Sequence, residues 1–412
     1  TVDHTGINKE VFRSTLVNTV LGGLNQASGN EYNVVGFNNV SSGLAYIVIG
    51  NNSNTTHNSG VVIGGTMHTS GNKVVVLGQD SSVSGTSNIG VVVGSTISGQ
   101  STIAIGDSIR STGNQAIIIG NSNIASGFNN IGLFSNSDII GNSGIGFGNI
   151  QSVRGDTNIY LGNEVKVSGT DAIVFGSNVG ATGDNNIVFG NSSMASGNNI
   201  ISIGTDNTST AISSGIYIGN DIDLTNSNKS IVMGLGVVTT SGLDNSIMIG
   251  LDNSTLTASP TGLVLIGQNN TVSDMRDSLV VGNENNLSGN VHNNILIGPR
   301  NSVPDISNNN LVIGVLNNTT GIVINTDGTF TGTGVKAAGD SMSNTSVFGI
   351  NNLVSTASGS TVVGNKTRVS GLNINSLGSY VNLNDADNQN IGNSNFVLGS
   401  KNTTIGSKND IV

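Results

Sequence analysis

The sequence predicts an all-β fold, a parallel β-roll or β-solenoid with coils of about 14 residues, on three observations. First, an aliphatic triplet closed by glycine recurs, as in Val61-Val62-Ile63-Gly64, Val75-Val76-Leu77-Gly78, Ile117-Ile118-Ile119-Gly120 and Ile187-Val188-Phe189-Gly190. The closing glycines fall at 36, 50, 64, 78, 94, 106 and 120, then at 148, 162, 176, 190 and 204, most often 14 residues apart. Second, another glycine, usually after Ser or Thr, sits seven residues on, at 71, 85, 113, 127, 155, 169, 183 and 197. Each unit is therefore two halves, each with one strand and one turn, and a fixed short period marks a solenoid. Third, the apolar runs are short, rich in Val and Ile, and bounded by Gly, Asn and Ser, which marks strands. Glycine every seventh residue would cost a helix about 1 kcal/mol each time. Gly and Asn also tolerate the left-handed backbone of tight corners.

Composition agrees. Among 412 residues are 59 glycines and 64 asparagines, with 9% charged and 4% aromatic residues, three prolines, no cysteine and no tryptophan. Too few large side chains are present for a conventional globular core. Disulfides and cysteine-based metal frameworks are excluded. The net charge of -10 offers no basic patch to neutralise phosphates, so nucleic-acid binding is not expected. No apolar run approaches the ~20 residues of a membrane helix, and no signal peptide is visible.

Taken in order, residues 1–24 lack the glycine period. Val11-Phe12, Leu16-Val17 and Val20-Leu21 have a weak helical spacing, with Asn8 able to cap a short helix, so this segment reads as a cap or junction closing the first coil. Residues 25–314 are β-roll repeats. Asparagine pairs before the strands (Asn129-Asn130, Asn185-Asn186, Asn198-Asn199) stack from coil to coil and suit amide ladders. After Gly204 the spacing lengthens to 15–17 residues, the additions falling mostly between triplets, for example from Leu251 to Thr261, where longer corners are expected to project. Residues 315–348 form an irregular insert or register break, with a hairpin signalled by Asp327-Gly328 between Ile322-Val323-Ile324 and Phe330. Residues 349–412 return to the repeat.

In a strand, the first and third residues of a triplet point one way and the middle one the other. The expectation is that Ile117 and Ile119 fill the coil and Ile118 points outward. A row of exposed Val and Ile needs a second surface, most economically another copy of the chain, and threefold symmetry suits a rod.

The stretch Ser101-Thr102-Ile103-Ala104-Ile105-Gly106, followed by Asp107-Ser108 and recurring every 14 residues, resembles the head repeat of trimeric autotransporter adhesins of the YadA type and related repeats in bacteriophage fibres. The resemblance covers about residues 25–412. It implies a left-handed roll, three rolls side by side as a homotrimer, and attachment to a host-surface glycan or protein receptor rather than catalysis. Asparagine stands where adhesin heads carry alanine, and neither coiled-coil heptads nor an anchor barrel follow the repeats. The expectation is accordingly a virion fibre (phage tail or head), with the head of a bacterial surface adhesin as the alternative, and an extracellular location on a virion or bacterial surface.

The residues suggest no chemistry beyond this. His4, His57, His68 and His292 lack metal-ligand spacing, and His57 occupies a mid-repeat glycine slot, where a corner is expected. The calcium-binding nonapeptide of β-roll toxins is absent. The densest acidic stretches, Asp221 and Asp223, Asp274 and Asp277, and Asp385 and Asp387, read as turns or loops rather than as the paired carboxylates of a polysaccharide-degrading β-helix. Thr-x-Thr pairs are too sporadic for an ice-binding face, and the glycines from Gly144 to Gly148 follow the period rather than forming a phosphate loop. No catalytic, cofactor-binding or metal-binding residue and no cofactor is assigned.

Overall fold

The computed structural model describes residues 18–315 except 150, 240–241, 256–259, 274, 288–290 and 304–306. Beyond 315 it describes the strand segments 323–324, 330–331, 342–343, 346–350, 353–358, 361–365, 368–372, 374–379, 382–384, 395–400 and 403–405. Every described element is a β-strand. The chain divides into two units, Thr1–Ser193 and Met194–Val412.

In the first unit each coil gives one strand to each of two parallel ladders. Triplet strands stack in strict steps of 14: Ile103↔Ile117, Ile117↔Ile131, Ile131↔Ile145, Ile145↔Ile159. The second strands stack alike, Ser82 on Thr96 and Thr96 on Arg110. Two corners join them. Asn38, Asn52, Thr66 and Asp80 at one, and Lys73, Ser87, Ser101 and Gln115 at the other, all have φ between 51° and 61°, which explains the supply of small polar residues there.

The period is more regular than the glycines suggest. Gly94 does not close a strand: it is a corner residue with φ 57°. The closing slot of that coil is held by Val92, in register with Gly78 and Gly106. Phe134 holds the slot between Gly120 and Gly148. At the ordinary positions glycine is required. Gly176 has φ +147°, and a Cβ on it would overlap the carbonyl oxygen of Gly190 one coil on.

The triplets face the other way from the expectation. Val34, Val48, Val62, Val76, Ala104, Ile118, Val174 and Val188 are all fully buried. Their flanking residues, such as Ile117 and Ile119, are partly exposed. Alternation runs from the closing glycine: it and the middle residue share the inward parity, so the first and third residues point out. The interior is completed by the second strand, with Val83, Ile97, Ile139 and Val153, and by the corners. There Asn25 Nδ2 donates to the Gly36 carbonyl at 2.7 Å, and Asn39 Nδ2 donates to Asn25 Oδ1 at 3.0 Å.

Of the segment read as a cap, residues 1–17 lie outside the described residues. Val20 and Leu21 are not helical; they belong to the strand Thr19–Leu21, paired in parallel with the next coil.

In the second unit the steps lengthen while the triplet ladder stays in register: Gly219↔Gly234, Gly234↔Gly250, Gly250↔Gly267. The added residues turn inward rather than only projecting. Leu243 and Met275 are fully buried, and a third short parallel ladder forms from Met275–Arg276, Val291–His292, Ser307–Asn308 and Met342–Ser343. A longer coil can enclose a third edge, so extra length becomes core. Asn253, Asn270 and Asn285 form a buried amide ladder, each Nδ2 to the preceding Oδ1 at 3.0 Å. Across the segment read as an insert, 315–348, the triplet ladder keeps its register, and the two ends of that segment belong to it: Leu311–Val315 pairs with Ser346–Ile350, Gly314 on Gly349. Inside this span Val323–Ile324 and Phe330–Thr331 pair antiparallel, as the strands of a hairpin do; Asp327-Gly328 lies outside the described residues.

Candidate association face

The two outward faces of the first unit differ sharply in chemistry. On the triplet strand, the first-position column reads Ile47, Val61, Val75, Ile89, Ile103 and so on to Ile187. The third-position column reads Val35, Ile49, Ile63, Leu77, Val91, Ile105 and so on to Phe189. Of the 24 outward positions between residues 33 and 189, only Asn33 is polar. Exposure at individual sites reaches 46% at Val91 and 48% at Leu161. At ~50 Å² apiece, a quarter to a third of what a whole aromatic side chain buries, the 23 apolar residues present on the order of 1,000 Å². That exceeds the largest apolar patch of an ordinary monomer and matches one side of a stable protein interface.

The second-strand face is polar. Its third-position column is Ser28, Ser42, Thr56, Ser70, Ser84, Ser98, Thr112 and Ser126 over eight consecutive coils. Small hydroxyls above one another hydrate well, and large apolar exposure in the outward columns of this strand is confined to the scattered Val40, Ile124 and Ile140. The unit is therefore amphipathic across its thickness, with one face suited to water and one to a partner.

The apolar face is not uniform. Its third-position column carries Phe147, Leu161, Phe175 and Phe189 in consecutive coils, and Phe175 and Phe189 stack with centroids 4.9 Å apart and planes at 29°. Beside them runs a shallow groove lined by Gly148, Gly162, Gly176, Leu161, Phe175 and Asn163. It exists because the closing-glycine column has no side chains.

The groups weighed for chemistry are dispersed. Asp221 is a corner residue with φ 53°, and only Asp223 lies in the strand, so the two do not share a strand face. Asp277 is likewise a corner, with φ 48°. Asp274, Asp385, Asp387 and His4 lie outside the described residues. Among the described residues no group of three metal-ligating side chains converges. His68 is exposed at a strand start. His57 pairs with Gly43 and Gly71, so it does occupy the glycine slot, but the ring turns inward: the residue is 2% exposed, and Nε2 lies 2.8 Å from Thr69 Oγ1. Burial holds its pKa below the ordinary histidine value, partly opposed by the Gly71 backbone. The phenols of Tyr160 and Tyr217 are pushed well above the usual range by burial, which suits packing rather than proton transfer at neutral pH.

Sequence reasoning found the two columns but gave them the wrong side of the strand, and it missed the Phe cluster as a feature. The signal was present: reading parity back from the closing glycine places the middle residue inside. Neither a protein-family model nor a curated protein matches this chain. No helix among the described residues is long and apolar enough to cross a membrane.

Proposed function

We propose that this chain is a non-enzymatic structural and attachment module, a homotrimer whose three copies cover one another's triplet faces and turn the hydroxyl faces outward. The observation that carries this reading is the pair of apolar columns on the triplet face of the first unit, apolar at 23 of their 24 positions. Burying such a face is worth about 25 cal/mol per Å² before the costs of association, and a second copy is the partner that always supplies a matching length. The threefold arrangement and the placement in an extracellular fibre, on a virion that contacts its host, come from the likeness to adhesin head and phage-fibre repeats. Three identical outward faces would bind a host-surface glycan or protein multivalently, so that weak contacts sum to firm attachment. Dispersed carboxylates support a non-catalytic role. The first experiment is the native mass by light scattering. A particle near 125 kDa, three times the chain's 41.7 kDa, is expected, together with binding of the labelled particle to host cells. A monomer that cleaves polysaccharide would overturn the reading.

A further inference from the structure

Two faces built of repeating Ile, Val and Leu have a weakness that follows from their regularity. Every coil repeats after 14 residues with nearly the same outward side chains. Sliding one copy past another by a whole coil lays Ile on Ile again, and flat repetitive strands specify register poorly. Cyclic closure demands zero stagger, and a feature that distinguishes one stagger from the next favours that closed arrangement over slipped, asymmetric ones. In the first- and third-position columns of this face the aromatic side chains are Phe147, Phe175 and Phe189; the exposed Phe37 lies beyond the closing glycine of its coil. Phe147 and Phe189 are 40% and 37% exposed.

Resting on the association reading above, we infer that Phe147, Phe175 and Phe189 set the stagger at which copies of this chain pack. Counting coils from Phe147, the rings stand at levels zero, two and three, with Leu161 at level one. The three spacings, one, two and three coils, are all different. Around a cyclic axis running along the stack, copies at zero stagger bring all three ring levels together. A slip of one coil matches only Phe175 with Phe189. A slip of two matches only Phe147 with Phe175, and a slip of three only Phe147 with Phe189. No displaced arrangement recovers more than one of the three matches, whereas the aliphatic remainder is almost indifferent. The groove beside the column, floored by Gly148, Gly162 and Gly176, leaves room at these levels for a neighbour's ring. The occupant is a second copy, because the feature is arranged along the same ladder as the face it interrupts.

The chain has no cysteine, so single cysteines report the stagger cleanly. Ile119→Cys and Ile105→Cys lie one coil apart in the same outward column. Co-expressed in the parent chain, they are expected to give disulfides between like positions only. In a background carrying Phe147→Ile, Phe175→Ile and Phe189→Ile, the mass should stay that of the parent oligomer. The mixed disulfide between the two positions should then rise to a yield comparable with the like pairs. A composition-preserving control, Phe147→Leu with Leu161→Phe, places rings at three successive levels; a one-coil slip then matches two pairs, and an intermediate mixed yield is expected. If the triple variant keeps like-position disulfides alone, the stagger is set elsewhere and the inference fails. It fails equally if the triple variant falls to monomers, which would make the rings the adhesive rather than the register, or if the oligomeric parent forms no like-position disulfide. A parent chain that is itself monomeric near 42 kDa overturns the association reading instead.

Discussion

Phe134 fills the space that Gly132, two residues earlier in the same strand, leaves empty: a Cβ on Gly132 would overlap the ring at Cε1. The ordinary coil puts an aliphatic residue at the middle position and glycine at the closing slot, and this coil reverses them. Phe134 is 4% exposed, so its ring lies in the core although its slot belongs to the glycine column. The same exchange pairs Gly90 with Val92, whose Cγ2 would lie 3.3 Å from a Cβ on Gly90. One interior volume is thus filled from either of two backbone positions.

The exchange makes a double-mutant cycle decisive. Gly132→Val alone overpacks the coil and is expected to cost about 1–3 kcal/mol. Phe134→Gly alone empties it, at about 3–5 kcal/mol. Together they restore the ordinary pattern, so the pair should cost well under the sum, with a coupling of at least ~1 kcal/mol in urea unfolding. Additive losses would mean the two positions do not share a volume.

Folding and association can be separated one residue apart. Ile118 is fully buried whereas Ile119 is partly exposed. Ile118→Asp places a carboxylate in the core and should cost more than ~4 kcal/mol, enough to unfold neighbouring coils. Ile105→Asp, at a site 40% exposed, should leave the circular dichroism spectrum of the strands unchanged and abolish the oligomer in sedimentation. If Ile105→Asp stays oligomeric, the triplet face is not the interface.

How much of this was legible beforehand depends on what a period can encode. Spacing alone identified the coil, because glycine at the strand end is dictated by a backbone clash, as at Gly176 and Gly190. Which side of the strand faces inward is a parity, and a triplet of three aliphatics carries none, so Ile118 was placed outside. Val92 and Phe134 broke the visible period, because the eye follows glycine whereas the fold conserves volume. The inward turn of the long coils was invisible too: Leu243 and Met275 are single apolar residues without a repeat to mark them.

The amide ladder of the second unit should be intolerant of charge. Asn270 Nδ2 donates to Asn253 Oδ1 at 3.0 Å and to the Gly282 carbonyl at 2.7 Å. Its Oδ1 accepts from the backbone N–H and the Nδ2 of Asn285, both at 3.0 Å. Asn270→Asp keeps the shape, loses both donors and sets a carboxylate against two oxygens, leaving buried acceptors unmatched at about 1–3 kcal/mol each. The loss should shrink as pH falls toward about 4, because burial and the two facing oxygens raise the folded acid's pKa, so it protonates before the unfolded chain does and can then donate once. Asn286→Asp, exposed one residue away from Asn285, should change the melting temperature little. Equal effects at the two sites would contradict the ladder.

Stability should also fall in mild acid, and His57 sets the direction. The titratable groups on the coils packed about His57 are the Tyr46 phenol, raised by burial and Tyr32, and the exposed His68, Lys73 and Asp80. The shift of His57 comes from burial, with the Gly71 backbone opposing it. The folded pKa of His57 is below that of the unfolded chain. As pH drops through about 6.5, the unfolded ensemble therefore takes up a proton that the folded state refuses. The stabilisation is whole above that value, declines as pH falls toward the folded pKa, and stops changing below it. His57→Gly restores the ordinary slot beside Gly43 and Gly71 and removes the group. Urea midpoints measured from pH 7.5 to 5 should decline more steeply for the parent than for this variant. Because Gly60 is the residue whose missing side chain admits the ring, with a Cβ there meeting His57 Cγ at 3.0 Å, the variant should leave a small void; adding Gly60→Ala to it should recover part of the loss at pH 7.5. Parallel pH profiles for parent and variant would show that the acid sensitivity resides in another group.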